Sequence, residues 1–163
     1  MPPRLDAHRL GAWRRLQAVL GEVEREIDEE LRAEWDIALG WFDVLAALQR
    51  LGGSARPLDL AADLRLPASS VSRRLDRLEE EGWVARHRRS DVDDLRAVQV
   101  ELTRTGRRLW REMNVSYRRA VQGAFAAFLD DGDIDALHRV VDRLDADTDD
   151  APEPGPGGSV ERV

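Results

Sequence analysis

The sequence predicts a mainly α-helical chain with one small β-hairpin, and three observations carry that expectation. Apolar residues recur at steps of three and four through most of the 163 residues. The period breaks once, after Gly82, where two short alternating segments flank the turn "DVDD". Aromatic residues make up 6% and charged residues 35%, a balance that suits helices with long exposed faces.

Each element follows from its local pattern. From His8 to about Trp35, Leu16, Leu20, Val23, Ile27 and Leu31 form the narrow stripe of one long helix. A second helix, Ile37 to Leu51, is apolar on most sides and so belongs near the centre; Gly52-Gly53 ends it. Leu58 to Leu64 makes a short helix, and Pro67 to about Gly82 another. Pro67 fits near a first helical position, where its missing N–H costs nothing. "WVARHRRS" and "RAVQVELT" are the two strands of the hairpin, with Val98, Val100 and Leu102 on one face. Thr103 caps a further long helix whose stripe is Trp110, Met113, Tyr117, Val121, Ala124 and Phe128. The last helix carries Ile134, Leu137, Val141 and Leu144, and acid, Pro and Gly content from about Asp147 predicts a disordered tail.

Two helices, a helix–turn–helix, a two-stranded wing and two more helices make a winged helix-turn-helix with flanking helices. The expected division is 1–36, an N-terminal dimerisation helix; 37–104, the winged helix; 105–146, C-terminal dimerisation helices; and 147–163, an acidic tail. The outer stripes are longer than a small winged module can cover, which points to a two-fold homodimer.

Composition removes several function classes. Without cysteine there is no disulfide, thiolate metal site or thiol redox switch. All 25 Lys+Arg residues are arginine, so Schiff-base chemistry and a P-loop lysine are absent. His8, His87 and His138 are scattered without ligand spacing, and no cofactor is implied. No catalytic signature such as G-x-S-x-G or H-E-x-x-H occurs, so an enzyme is not expected. No apolar run approaches the roughly 20 residues of a membrane span, and the N-terminus lacks a signal-like stretch, which makes a cytoplasmic address the expectation. The net charge of −7 argues little against DNA, because the last 19 residues hold six acids and one arginine.

The helix "ASSVSRRLDRLEEEGWV" is lopsided. At 100° per residue Val71, Leu75 and Leu78 share a narrow core-facing arc. Ser69, Ser72, Arg73, Asp76 and Arg77 lie opposite, with Ser70 and Arg74 on the flanks. Hydroxyls and arginine forks are the groups that read base edges and hold phosphates. A recognition helix inserts its N-terminal half into the major groove, so Glu79 to Glu81, about 15 Å further along, stay outside. In the wing, Arg86, Arg88 and Arg89 stand beside the turn and Arg96 on its far side, a second basic element at the spacing such a fold needs. The rival reading is a winged helix that binds only proteins, its arginines merely solvating the surface.

"VSRRLDRLEEEGWVAR" followed by "DVDDLRAVQVELTRTG" resembles the signature of the MarR (multiple-antibiotic-resistance regulator) family of transcription factors. Asp91, Asp94, Arg96, Leu102, Thr103 and Gly106 stand where that family reads D-P-x-D-R-R and then L-T-x-x-G, and the likeness extends over about residues 10–145. It implies a homodimer with interlocked first and last helices, binding a palindromic double-stranded operator as a repressor or, less often, an activator. Ser69, Ser70, Ser72 and Arg73 would then approach bases, Arg74 and Arg77 phosphates, and Arg96 the minor groove, with Asp94 holding the wing. Leu95 and Val92 depart from the usual basic residue and turn proline, which implies a looser wing and a weaker salt dependence.

Many members of the family release DNA when a phenol or aromatic acid binds beside the dimerisation helices. The resemblance makes Trp13, Trp41, Asp43 and Arg50 candidates to line such a crevice. "FDVLAALQR" is similar to the urate-responsive branch, where an Asp, an Arg seven residues on and a recognition-helix Arg act together; Asp43, Arg50 and Arg73 match that triplet. A structural reading stands beside it, in which Asp43 bonds a neighbouring arginine and the tryptophans are core.

Overall fold

The computed structural model describes residues 4–88 and 98–149, with backbone only at Arg88 and at 147–149. Six helices and three strands follow one another: α1 Ala7–Trp35, α2 Leu39–Arg50, β1 Ser54–Ala55, α3 Pro57–Asp63, α4 Ala68–Glu80, β2 Val84–Arg88, β3 Val98–Leu102, α5 Arg104–Ala124 and α6 Asp131–Asp149. The chain forms two compact units, Met1–Phe125 and Ala126–Val163. Among the described residues no helix is long and apolar enough to cross a membrane.

In the first unit, α2 is the centre. Its Phe42, Val44, Leu45, Ala47 and Leu48 are all buried, on nearly every side of the helix. One core joins Leu45 and Leu48 to Leu60 of α3, Val71, Leu75 and Leu78 of α4, and Val84, Val100 and Leu102 of the sheet. Burying each such side chain contributes about 1.5–3 kcal/mol. The other joins Phe42 to Ile27 and Leu31 of α1 and to Met113, Ala120 and Ala124 of α5. There Trp35 donates its Nε1–H to the buried Ser116 hydroxyl at 3.0 Å, and Phe42 lies on Tyr117 with centroids 4.7 Å apart. On the surface of the same contact, Arg119 of α5 bonds both Glu30 and Glu34 of α1.

The hairpin pairs antiparallel from Val84↔Leu102 to Arg88↔Val98. The expected turn between its strands lies outside the described residues. A third strand, β1, completes the order β1-β3-β2 by pairing Ser54 with Glu101 and Ala55 with Val100. At two residues it is too short to show a period, and only its tertiary pairing defines it.

Several expectations need adjustment. Pro67 lies just before α4 as its N-cap, with φ −56° and ψ 139°, not inside the first turn. Phe128 does not continue the α5 stripe. The helix stops at Ala124, and Phe128 lies in a 3₁₀ turn, Ala126–Phe128, 76% exposed. Helix α6 runs to Asp149, two residues past the expected start of the tail, and 150–163 lie outside the described residues. Of the α1 stripe only Ile27 and Leu31 are buried; Leu16 and Leu20, with neighbouring Trp13 and Val19, are 42–55% exposed.

Candidate nucleic-acid interface

Helix α4 is anchored by its inner face and by its approach. Val71, Leu75 and Leu78 are wholly buried. The turn from α3 passes through Arg65 at φ 51°, and Leu66 donates its N–H to the Ala61 carbonyl at 3.0 Å. At the far end, Gly82 at φ 72° reverses the chain into β2, and Trp83 N–H reaches the Leu78 carbonyl at 2.9 Å. The left-handed conformation at Gly82 is one that glycine adopts without strain. The outer face is thereby fixed in direction. Ser69, Ser72, Arg73 and Arg77 are exposed, and Ser70 is half-buried.

The arginines of the expected interface divide into distinct roles. Arg73 has no hydrogen bond or ion pair with any described residue and projects freely. Arg77 is paired with Glu80 at 2.8 Å and places its guanidinium 5.9 Å from the Trp41 ring centroid. Arg74 turns inward: it is half-buried and donates Nη1–H to the Gly40 carbonyl at 2.9 Å, tying α4 to the first turn of α2. A Cβ at Gly40 would lie 2.9 Å from the Arg74 guanidinium carbon, so the flexible end of Arg74 would have to shift to admit one. In this conformation Arg74 faces α2, not the outer surface expected of a phosphate contact.

Arg86 is likewise engaged within the fold. It bonds Glu79 at 2.6 Å and Asp76 at 2.7 Å, and its backbone N–H also reaches Glu79, so it clamps β2 to α4. The two carboxylates share the helix face that packs toward β2, a pairing that spacing along one element could not reveal. The Arg88 backbone lies in β2, whereas Arg89, Asp94 and Arg96, together with Val92 and Leu95, lie outside the described residues.

The four residues expected to line one crevice are not all brought to one cleft: Trp41, Asp43 and Arg50 stand on α2 and Trp13 on α1. Trp13 is 55% exposed on the first half of α1. Arg50 bonds Asp63 of α3 at 2.6 Å. Asp43, half-buried, borders a cleft of about 580 Å³ with Glu24, Arg25, Asp28, Leu64 and Arg74. Burial pushes its carboxyl up to about 6 against the pull of Arg74, with Glu24 adding to the rise and Arg50 opposing it. The α4 arginine lining that cleft is therefore Arg74, one residue from the Arg73 that the triplet pattern names. Trp41 borders a separate groove of about 430 Å³ with Ser70, Arg73, Arg74 and Arg77.

A buried core, a two-point clamp on the wing strand and an outward Ser/Arg face make a helix built to be presented. Residues 35–97 match the model of the MarR family. The chain is 31% identical over 107 residues to the HTH-type transcriptional regulator PecS of Dickeya dadantii (strain 3937), covering 64% of its own length and 62% of that regulator. The matched region thus spans under two thirds of that relative. In structure it is similar to Sco3205, a MarR family regulator of Streptomyces coelicolor solved in complex with DNA. The TM-score is 0.80 at 24% identity, over 96% of this chain and 97% of that one. It is also similar to BpsR of Bordetella bronchiseptica, described for regulation of its DNA binding by 6-hydroxynicotinic acid. There the TM-score is 0.71 at 21% identity, over 83% and 98% of the two chains. At those identities the structural likeness shows the shared winged helix-turn-helix fold.

Proposed function

We propose that this chain is a sequence-specific DNA-binding transcriptional regulator, acting as a homodimer on a palindromic operator and repressing by occupying it. The observation that carries the reading is the outer face of α4, where Ser69, Ser72 and Arg73 are exposed while the inner face is locked into the core. Arg73, with no partner among the described residues, has its full fork available for a guanine edge, a contact whose loss costs about 1–3 kcal/mol of discrimination. Dimerisation is supported by the exposed Trp13, Leu16, Val19 and Leu20 on α1, an apolar row that a second copy would bury. Two copies would then set their α4 helices about 34–36 Å apart, one helical turn of DNA.

The groove beside α4 supports an effector. Trp41 offers an aromatic face and Arg73, Arg74 and Arg77 offer positive charge, which together suit a small aromatic acid. Such a ligand would occupy Arg73 and compete with DNA directly.

Selection of bound duplexes from a random pool, repeated with a panel of aromatic acids, tests operator reading and release together. Recovery of an inverted repeat is expected, and Arg73→Ala should lose preference for it. Light scattering should give a dimer mass at micromolar protein. A winged helix that binds only proteins would retain no duplex even at low salt, where phosphate contacts are strongest.

A further inference from the structure

The outward face of α5 carries an arginine row that the DNA reading leaves unused. Arg104, Arg108, Arg111 and Arg118 are all exposed, and at 100° per residue they fall within one arc with Val115. The row is about 21 Å long at 1.5 Å per residue. None of the four has an ion pair with a described residue, whereas Arg107 and Arg119 on the flanks are neutralised by Glu101 and by Glu30 and Glu34. Arg104, Arg108 and Arg111, with Thr105, converge on one surface pocket of about 260 Å³. Like charges three and four residues apart repel along a helix, and only Glu112 lies on this flank to relieve them. A local conflict of this kind, in a chain with a net charge of −7, marks a face kept for a partner.

We propose that this row is a second nucleic-acid-binding surface, which holds the phosphate backbone of a DNA segment other than the one read by α4. Two observations separate it from the recognition helix. The Thr103 hydroxyl bonds the Gly82 carbonyl at 2.8 Å, so the start of α5 sits beyond the C-terminal end of α4, about 20 Å from Ser69. Strand β3 also reaches α5 at its Leu102 end, away from Val98. Arg104 therefore stands at the end of α4 remote from Ser69. The chemistry favours phosphates over an acidic protein. Protein interfaces are anchored by a buried apolar or aromatic centre, and Val115 is the one large apolar side chain on this face. Arginine forks at intervals of about 4.5–10.5 Å suit a sequence-independent backbone contact.

The test uses the full chain in a background where α4 reading is removed, Ser72→Ala with Arg73→Ala, so that it stands independently of whether an operator exists. Binding of a 30-base-pair duplex of random sequence is measured by anisotropy across a salt series. Adding Arg104→Gln, Arg108→Gln and Arg111→Gln should weaken binding about tenfold at low salt and lower the salt slope by about 2–3, near 0.9 per phosphate released. Arg108→Glu with Arg111→Glu, checked for native circular dichroism, should weaken it further. With α4 intact, the same glutamines should leave affinity for a duplex no longer than the selected operator within twofold. Unchanged random-duplex binding would overturn the proposal. So would an equal loss on the short operator, which would put the row in the primary footprint. Poly-glutamate displacing the duplex at equal charge concentration would assign the row to an acidic protein instead.

Discussion

Gly106 is the position where a single methyl group should cost most. It lies in the first turn of α5, and its N–H donates to the Thr103 hydroxyl at 3.0 Å. A Cβ there would stand 2.0 Å from the Trp83 carbonyl oxygen and 2.9 Å from its carbon, both backbone atoms. Ordinary contact begins near 3.4 Å, so Gly106→Ala must push the start of α5 more than 1 Å from the α4–β2 turn. That shift disrupts the Thr103 cap and the bonds from Thr103 to Gly82 and Trp83. Overpacking costs about 1–3 kcal/mol and a lost cap with its linked hydrogen bond about 2 more. The better helix propensity of alanine returns about 1. The net loss is about 2–4 kcal/mol, or roughly 5–15 °C in Tm for a chain of this size. Urea unfolding followed by circular dichroism at one fixed protein concentration measures it, since dimerisation would make stability depend on concentration. Gly123→Ala is the control, because nothing lies within 4 Å of a Cβ there; it should be neutral or stabilising by up to about 1 kcal/mol. A Gly106→Ala protein as stable as the parent would refute the reasoning.

Other perturbations have defined outcomes. Asp43 has a folded pKa of about 6 against 3.8, so its stabilising share is complete below 3.8 and lost as pH rises through 6. Asp43→Asn should therefore gain on the order of 1–2 kcal/mol over the parent at pH 8, an advantage that fades by pH 4; a gain equal at both pH values would exclude the burial explanation. Arg86→Gln leaves Asp76 and Glu79 facing one another and should lower Tm by roughly 2–6 °C, partly restored by Asp76→Asn, as read in a thermal melt. Trp35→Phe removes the bond to Ser116 and should cost about 1 kcal/mol in urea unfolding; no measurable change would mean the α1–α5 contact rests on packing alone.

The helices and hairpin were legible because each carries its own period, strong in α4 through Val71, Leu75 and Leu78 and in β3 through Val100 and Leu102. Strand β1 was not, because Ser54 and Ala55 have no pattern apart from their partners on β3. The site divides along the same line. That Ser72 and Arg73 face outward follows from the helical period alone. The inward turn of Arg74 had a faint local signal, since it stands about 40° from Leu78 around the helix, but its acceptor at Gly40 lies 34 residues earlier in the chain. Arg86 read as a free wing cation because Asp76 and Glu79 belong to another element. The crevice expected from Trp13, Trp41, Asp43 and Arg50 depended on several elements meeting, and in the structure Arg50 is held by Asp63.

Neighbouring arginines on α4 answer to different demands: Arg73 looks out, and Arg74 is bolted to α2. Successive residues on a helix point about 100° apart, so selection can rewrite one without loosening the other. On the proposed reading, target preference can drift through Ser69, Ser72 and Arg73 while the scaffold that aims them is inherited unchanged. A designer retargeting it inherits the same freedom, with Arg74 left to hold α4 on Gly40.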